Sequence, residues 1–223
     1  NMTGTPQYLN WVANLLRPHL GDTVLELWAG IGNFTGRMTG KRVRYAATER
    51  DPLYLHALKN RFLRTANVEV APLNPETVED YAPYAESFQS ALALNVLEYV
   101  SDPEMVIRGL HSTVVPGGNI LILVPQGKSL FGSVDQTLSH KRRFDRGELA
   151  NMLETSGFKV VHSAGINKIG AAAWWFYSKV LRTKRINKLT LKIFDKTVWL
   201  WRLLDPVLPW KGLSLIMVAR NEK

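Results

Sequence analysis

The chain of 223 residues contains no cysteine, which excludes disulfide bonds and thiolate metal sites. It also lacks an apolar run near the roughly 20 residues that a membrane-spanning helix needs. The five histidines are scattered, so their spacing suggests no metal site. The absence of cysteine does not by itself determine the cellular compartment. We therefore expect a cytoplasmic protein that is soluble, or peripheral to the inner face of the membrane.

Acidic residues are scarce near the C-terminus of a chain whose net charge is +9. Eight basic residues fall in one stretch whose only acid before Asp205 is Asp195: Lys179, Arg182, Lys184, Arg185, Lys188, Lys192, Lys196 and Arg202. Such a stretch could meet nucleic acid, anionic lipid or a phosphorylated substrate. Charge alone, however, favours a solvated helix face.

Helix-like and strand-like segments alternate along the chain, which predicts an α/β fold with a doubly wound, mostly parallel sheet. Apolar runs predict strands at residues 23–27, 43–48, 68–71, 91–94, 120–124, 159–163 and 213–219. We expect the last two to form an antiparallel closing pair. Helices are predicted at 8–16, from Asp51-Pro52 onward, at 103–114 before Pro116-Gly117-Gly118, and at 145–155.

We expect residues 1–223 to form a single domain that carries two special segments. Residues 126–144 form a long polar connection, and connections of that length are usually functional; this is the predicted acceptor loop. Residues 168–210 form a predicted helical lid insertion. Its apolar residues recur at helical spacing between basic ones, as in interfacial helices: Phe176, Val180, Leu181, Leu189, Ile193, Phe194, Val198, Trp201 and Leu204. For most of this stripe, packing on the domain itself is slightly favoured.

The first predicted strand runs into a turn that contains Gly30 and Gly32. A strand, a glycine turn and a helix in this order aim backbone N–H groups and a helix dipole at a ligand. In open α/β sheets, ligands bind at this edge. The dinucleotide fingerprint requires a third glycine where this chain has Thr35, which weakens an NAD interpretation.

Glu49 ends the second predicted strand, 17 positions after Gly32. A carboxylate there can accept hydrogen bonds from both ribose hydroxyls of an adenosine. An isolated acid at a strand end is more often a helix cap. After a glycine turn, the ligand interpretation is the better one.

Two further segments suggest chemistry at the same rim. Tyr99 follows the fourth predicted strand and could orient an acceptor or accept a proton. A structural tyrosine, with its ring packed and its hydroxyl exposed to solvent, fits the sequence equally well. In the predicted acceptor loop, His140 could act as a general base that neighbouring arginines keep neutral near pH 7. Arg142 and Arg143 could clamp a carboxylate or phosphate. The alternative is a basic loop with a surface histidine.

Four segments together resemble the class I S-adenosylmethionine (SAM)-dependent methyltransferases, over about residues 8–165. They are Val-Leu-Glu-Leu-Trp-Ala-Gly-Ile-Gly-Asn, Ala-Ala-Thr-Glu, Asn-Val-Leu-Glu-Tyr-Val and Pro-Gly-Gly-Asn-Ile-Leu-Ile-Leu-Val-Pro. The resemblance implies a seven-stranded sheet and SAM as the methyl donor. It places five residues near the cofactor: Glu26, Gly30, Gly32, Glu49 and Asn95. We expect seven more residues to line the same cofactor site: Trp28, Ala29, Asn33, Arg50, Asn74, Val96 and Leu97.

A narrower resemblance extends to the C-terminus, to bacterial type 11/12-like methyltransferase domains often fused to family 2 glycosyltransferases. It rests on Phe131 to Asp135, His140 to Phe144, Trp174-Trp175 and Gly212 to Ile216. It implies a small-molecule, sugar or lipid-linked acceptor and a glycosyltransferase partner. Tyr99, His140 and Arg143 are then the expected catalytic residues, and Arg142, Trp174 and Trp175 the expected acceptor-binding ones.

The sequence departs from the family pattern at three positions. Trp28 stands where the family has the first glycine of its turn, Asn74 where an acid contacts adenine, and Tyr99 where histidine is common. Trp28 leaves open a catalytically inactive SAM-fold binding protein. The basic charge leaves open an RNA methyltransferase, although the aromatic–proline tetrads of base-amine methyltransferases are absent after the fourth strand, so nucleic acid is not the expected partner.

Overall fold

The computed structural model of the chain describes residues 4–183 and 187–223. Within them, seven strands form one sheet: β1 (Thr23–Leu27), β2 (Arg44–Glu49), β3 (Val68–Pro72), β4 (Phe88–Leu94), β5 (Val114–Pro125), β6 (Phe158–Ile166) and β7 (Ser214–Asn221). Their order is β3-β2-β1-β4-β5-β7-β6. β7 runs antiparallel to β5 and β6, and the remaining pairs are parallel. The predicted α/β fold and the predicted antiparallel closing pair are both confirmed.

The α-helices of the described residues are α1 (Pro6–Leu16), α2 (Thr35–Met38), α3 (Pro52–Phe62), α4 (Pro103–Thr113), α5 (Ser133–Thr137), α6 (Arg146–Thr155), α7 (Lys168–Trp175), α8 (Lys188–Lys196) and α9 (Val198–Leu204). Along the described residues, α1 precedes β1 and the other α-helices lie between strands. Proline stands at the start of α1, α3 and α4, where its missing N–H costs no hydrogen bond. Asp51 caps α3 and Asp102 caps α4 by accepting backbone N–H groups.

The sheet buries an apolar cluster on each face. Successive residues of a strand point to opposite faces, so Val24 enters one cluster while Leu25 and Leu27 enter the other. Helices α1 and α3 contribute to the first cluster, and α4 and α6 to the second. The carboxyl ends of β1, β2, β4 and β5 therefore meet at one edge, which positions the segments that follow them.

The junction between α4 and β5 differs from the prediction. The helix ends at Thr113 and the strand begins at Val114, before the Pro-Gly-Gly sequence, rather than at residue 120. Val114 pairs with Phe88 of β4, and the register then shifts before Asn119 pairs with Ser90. This early pairing extends the strand backward across the glycines.

The predicted acceptor loop, residues 126–144, is folded rather than irregular. It holds a 3-10 turn (Lys128–Leu130) and α5. An isolated bridge joins Gln126 to Phe144, so the two ends of the segment meet beside β5.

The predicted lid insertion, residues 168–210, holds α7, a π-helical turn (Phe176–Val180), α8 and α9 between β6 and β7. Its apolar stripe divides in two. Phe194, Val198 and Trp201 pack on the α1 side of the core, so packing on the domain, which was predicted for most of the stripe, holds for these three. Five others are exposed: Phe176, Val180, Leu181, Leu189 and Ile193. No helix in the described parts of the chain is long and apolar enough to cross a membrane. Lys184 and Arg185 of the basic stretch lie outside the described residues.

Candidate functional site

The turn after β1 contains three residues in the left-handed region, with φ of 54° at Trp28, 60° at Gly30 and 78° at Gly32. A Cβ on Gly32 would lie 2.3 Å from the Phe62 ring, whereas a Cβ on Gly30 would meet no atom within 4 Å. Gly32 therefore lets the turn pack closely on α3. Gly30 leaves open space above the turn, and the helix that follows, α2, has only four residues.

Glu49 is buried at the end of β2 and holds the turn in place. Its Oε2 accepts the Gly30 N–H at 2.9 Å, and its Oε1 accepts the N–H groups of Arg50 at 2.8 Å and Asp51 at 2.9 Å. A carboxylate offers about four acceptor positions, so about one remains for a ligand. Binding two ribose hydroxyls would require Glu49 to release the Gly30 N–H.

Glu26 lies beneath the turn and is buried. Its Oε2 accepts hydrogen bonds from Thr35 Oγ1 at 2.6 Å and Tyr45 Oη at 2.8 Å. Burial raises the pKa of Glu26 to about 7, although both hydrogen bonds act to lower it. The side chain thus ties β1, α2 and β2 together under the turn.

Trp28, Arg50 and Tyr99 meet at the rim of the sheet. The Arg50 guanidinium lies 4.2 Å from the Trp28 ring centroid, and the Tyr99 ring meets the Trp28 ring edge-on at 5.9 Å. Arg50 also pairs with Glu76 at 3.5 Å. The Trp28 indole is therefore held between a cation and a second ring.

The structure gives Asn74 and Asn95 backbone-shaping contacts. Asn74 Oδ1 accepts the Glu76 N–H at 3.2 Å, and its Nδ2 donates to Thr77 Oγ1 at 2.9 Å. Asn95 has a φ of 56°, and its N–H donates to the Leu123 carbonyl at 2.8 Å. Asn74 keeps an oxygen with a second acceptor position, and Asn95 redirects the chain at the end of β4.

The other predicted cofactor residues are brought to the same edge, mostly through their backbone. The Ala29 N–H donates to the Thr48 carbonyl, and the Asn33 carbonyl accepts Arg37 Nη1. Val96 and Leu97 are fully buried in the core. The prediction that they contact a cofactor is therefore limited to their backbone atoms.

Asp135, in α5, is the centre of a buried hydrogen-bond cluster. Oδ1 accepts from His140 Nδ1 and Arg143 Nε, both at 2.9 Å. Oδ2 accepts from Trp174 Nε1 and the Gly132 N–H, both at 3.1 Å. Burial raises the pKa of Asp135, but the hydrogen bond from His140 and the charge of Arg143 outweigh it and lower the pKa overall. Asp135 is thus a carboxylate at neutral pH.

His140 connects this carboxylate to Tyr99. Because an ionised Asp135 can only accept, Nδ1 of His140 donates to it, and a neutral ring would then present a lone pair at Nε2. Nε2 lies 3.2 Å from the Tyr99 hydroxyl. Burial raises the pKa of Tyr99 to about 12, so that hydroxyl keeps its proton at neutral pH. That neighbouring arginines keep His140 neutral stays a prediction; in the structure the ring nitrogens contact Asp135 and Tyr99.

Arg143 does not stand free to clamp an acceptor. It is buried, with Nε on Asp135 and Nη1 on the Gln126 carbonyl at 2.9 Å, and its guanidinium lies 4.7 Å from the Trp174 ring centroid. The predicted clamp by Arg143 is therefore corrected to internal support of Asp135. Arg142 remains at the rim, where Nη2 donates to the carbonyls of Val100 and Ser101.

Trp174 and Trp175 separate on α7. Trp174 reaches Asp135 through its indole N–H, while Trp175 is 51% exposed. The structure therefore brings Trp174 into the cluster and leaves Trp175 on the surface.

Sequence reasoning did not select Asp135 or Glu98 as functional. Asp135 lies five positions before His140, a spacing that alone has no diagnostic value. Glu98 is fully buried next to Tyr99, its Oε2 has no hydrogen-bond partner among the described residues, and burial raises its pKa to about 8. An acid directly before Tyr99 was the available signal for Glu98. For metals, residues 4–183 and 187–223 contain no group of three His, Asp or Glu side chains able to hold an ion.

Comparisons with known proteins agree with this geometry. A family model described as a methyltransferase domain matches residues 6–163. The chain is 34% identical over 96 residues to ribosomal RNA small subunit methyltransferase A from Anaeromyxobacter sp. (strain K), which is 42% of this chain and 32% of that protein. It therefore spans about a third of the length of that curated relative.

Two further matches cover more of the chain. It is 24% identical over 180 residues, 73% of each protein, to the ubiquinone biosynthesis O-methyltransferase of Aeromonas salmonicida. A crystal structure of an S-adenosylmethionine-dependent methyltransferase from Mesorhizobium loti aligns with a TM-score of 0.66 at 15% identity, over 95% of this chain and 97% of that one. At that identity the likeness shows a shared fold.

Proposed function

This chain belongs to the methyltransferase domain family and has the class I SAM-dependent fold, and we propose that it methylates a hydroxyl of a small-molecule, sugar or lipid-linked acceptor. The observation that carries the proposal is the chain of contacts Asp135–His140–Tyr99 at the edge of the glycine turn. A carboxylate-oriented imidazole is a general base, and an acceptor hydroxyl would take the place of the Tyr99 hydroxyl at Nε2. An acceptor hydroxyl has a proton to lose when it is methylated.

The glycine turn fits SAM. Open space lies above Gly30, and the Gly30 N–H and the Glu49 carboxylate face each other beside it. SAM would lie over Gly30 and Gly32, with its ribose on Glu49 and its amino-acid part toward Asn95. Asn74 Oδ1 would accept from the adenine amino group. When bound, SAM supplies a methyl group on a positively charged sulphur.

The residues of this chain supply orientation and proton transfer. Tyr99 would position the acceptor beside His140, and His140 Nε2 would take the hydroxyl proton as the acceptor oxygen is methylated. Asp135 holds the imidazole in the required tautomer and stabilises its protonated form. Trp174 and Arg143 hold Asp135, so these two act as positioning residues.

The acceptor side would be formed by residues 126–144 and by α7, with Arg142 at the rim. In this arrangement the insertion 168–210 covers the acceptor and acts as a lid, supported by the bond from Trp174 to Asp135. A glycosyltransferase partner and a cytoplasmic location stay predictions from the sequence.

A ribosomal RNA acceptor is the second candidate. It is favoured by the 34% identity over 96 residues to a ribosomal RNA methyltransferase and by the net charge of +9. The segment Asn95-Val96-Leu97-Glu98 after β4 argues against it, because a buried Glu98 stands where a base-stacking ring or proline would be expected.

The test measures S-adenosylhomocysteine formed from SAM with three probes: a catechol, a nucleotide sugar and a small-subunit ribosomal RNA transcript. We expect turnover on a hydroxyl probe, and His140→Gln should lower kcat by about 10²–10⁴-fold without changing the dissociation constant for SAM.

His56→Gln is the matched control, since His56 is an exposed histidine of α3 that contacts Asn60. Equal activity of His140→Gln and His56→Gln would contradict the proposal, as would methylation of the RNA alone. Calorimetry that detects no SAM binding would instead support the alternative of a catalytically inactive protein with this fold.

A further inference from the structure

Exposed apolar side chains concentrate in one segment of the chain. Of the 18 large hydrophobic residues that are exposed among the described residues, 11 lie between positions 175 and 210. A monomeric soluble surface rarely gathers apolar side chains in this way, and such gatherings mark interaction sites.

Helices α8 and α9 each present an inward and an outward face. Asp195, Phe194 and Val198 face the domain, where Phe194 lies 6.1 Å from the Tyr8 ring. Outward, Leu189 and Ile193 are 62% and 56% exposed on α8, four positions apart. Trp199 and Leu203 repeat the same spacing on α9 at 64% and 67%. The apolar side chains therefore lie on regular outward stripes of anchored helices.

The charge of this segment is positive and unpaired. Six cations have no carboxylate partner among the described residues: Lys179, Arg182, Lys188, Lys192, Lys196 and Arg202. The two acids here are buried. Asp195 accepts the N–H groups of Gln7 and Tyr8, and Asp205 accepts those of Asn167 and Lys168. The exposed surface of this segment is thus apolar and cationic, and neither of its two acids is exposed among the described residues.

A groove of about 1250 Å³ lies between α1 and the helices α8 and α9. Lys188, Lys192 and Lys196 follow one another at one-turn spacing along it, and Arg202 and Trp199 complete this side. Cations beside an exposed indole suit the phosphate layer of a membrane, where tryptophan prefers to reside.

We propose that the outward surface of α8 and α9, with the π-helical turn before them, docks on a bilayer that contains anionic phospholipid. The cations meet the lipid phosphates, and the aliphatic side chains and Trp199 enter the boundary of the acyl region. RNA fits less well, because Leu189, Ile193 and Leu203 offer nothing to a phosphate backbone. The inference concerns where the protein binds and does not require the proposed reaction.

Helix α7 connects the docking surface to the candidate active site. Trp174 of α7 contacts Asp135, its neighbour Trp175 is exposed, and the π-helical turn of the docking surface follows α7 directly. The docked surface is therefore continuous with the helix that supports the candidate base, which brings an acceptor at the membrane surface close to the site.

The test is co-sedimentation of the full chain with phosphatidylcholine vesicles and with vesicles that also contain phosphatidylglycerol, each at low and high salt. We expect pelleting with the anionic vesicles at low salt and its loss at high salt. The triple variant Lys188→Gln/Lys192→Gln/Lys196→Gln should lower the partition coefficient by on the order of a hundredfold. Leu203→Ser should lower it by roughly tenfold.

Leu53→Ser and Lys59→Gln are matched controls on α3, where Leu53 is 81% exposed. They should bind vesicles like the unaltered protein, and all variants should retain SAM binding as evidence of folding. No lipid-dependent pelleting at low salt would overturn the inference. So would equal losses in the controls, or a dimer in solution that Leu203→Ser dissociates, since a second copy would then cover this surface.

Discussion

Two residues at the site adopt left-handed backbone conformations. Trp28 and Asn95 both have positive φ, and they follow β1 and β4, the central parallel strands. Asparagine tolerates this region, whereas for a bulky residue it is an outlier that costs about 1–3 kcal/mol. The surrounding contacts of the indole with Arg50 and Tyr99 must offset that cost, which indicates that the ring is a working part of the rim.

We therefore expect Trp28→Gly to weaken SAM binding by about tenfold. The cation–π and ring–ring contacts that hold the rim together contribute about 1–2.5 kcal/mol of interaction free energy, which this variant loses. Trp28→Phe keeps a ring between Arg50 and Tyr99 and should bind SAM nearly as the unaltered protein does. Isothermal titration calorimetry measures both affinities. Tighter binding in Trp28→Gly would instead mean that the indole obstructs the pocket.

At the scale of elements, the strands and most helices follow from local pattern. Thr23–Leu27 is strand in both prediction and structure, and α3 begins at Pro52 after its Asp51 cap, as predicted. These features depend on neighbours in sequence: apolar periodicity, a proline, a capping side chain. Because these signals lie within a few residues of one another, the sequence is sufficient to predict these elements.

The site was predicted less completely, because its decisive contacts join separate elements. The partners of Asp135 come from the following loop and from α7, 39 positions away. The adjacent Arg142 and Arg143 suggested two side chains free to bind an acceptor. Arg143 is instead buried and bonded to Asp135, a partner that sequence periodicity cannot identify. The register break that extends β5 back to Val114 likewise depends on pairing with Phe88.

Glu49 belongs to this scale because it joins β2, the turn after β1 and the start of α3. Glu49→Ala leaves three backbone N–H groups without their acceptor, and hydrogen bonds to a charged group contribute about 1.5–3 kcal/mol each. We expect SAM affinity to fall by more than tenfold and the melting temperature to decrease. Calorimetry and thermal unfolding measure the two effects.

The matched control for Glu49 is Glu69→Ala in β3. Glu69 forms an exposed pair with Arg44 at 2.9 Å, and such surface pairs contribute about 0–1 kcal/mol. It should leave SAM affinity unchanged and stability nearly so. Unchanged SAM affinity in Glu49→Ala would show that the cofactor does not use this carboxylate.

At the scale of the whole molecule, two buried glutamates make stability depend on pH. Burial raises the pKa of Glu26 to about 7 and that of Glu98 to about 8. Above the ordinary glutamate pKa of 4.5, the folded state therefore holds protons that the unfolded chain has already lost. Stability falls as pH rises from 4.5 to about 7 for Glu26 and to about 8 for Glu98. His19 and His111 act oppositely, because burial lowers the pKa of each and stability is lost as pH falls below the ordinary histidine value of 6.5.

Glu98→Gln isolates one of these groups, since the groups distant from position 98 titrate alike in both proteins. Glutamine is neutral at all pH values, whereas Glu98 must lose its proton in a buried position without a hydrogen-bond partner for Oε2. Between about pH 4.5 and the folded pKa of about 8, the unfolding free energy of the unaltered protein should fall relative to Glu98→Gln by up to about 1.4 kcal/mol per pH unit. Urea unfolding at pH 5, 6.5 and 8 measures the difference. Parallel curves for the two proteins would show that Glu98 is already ionised in the folded state, which would require a partner for its carboxylate beside Tyr99.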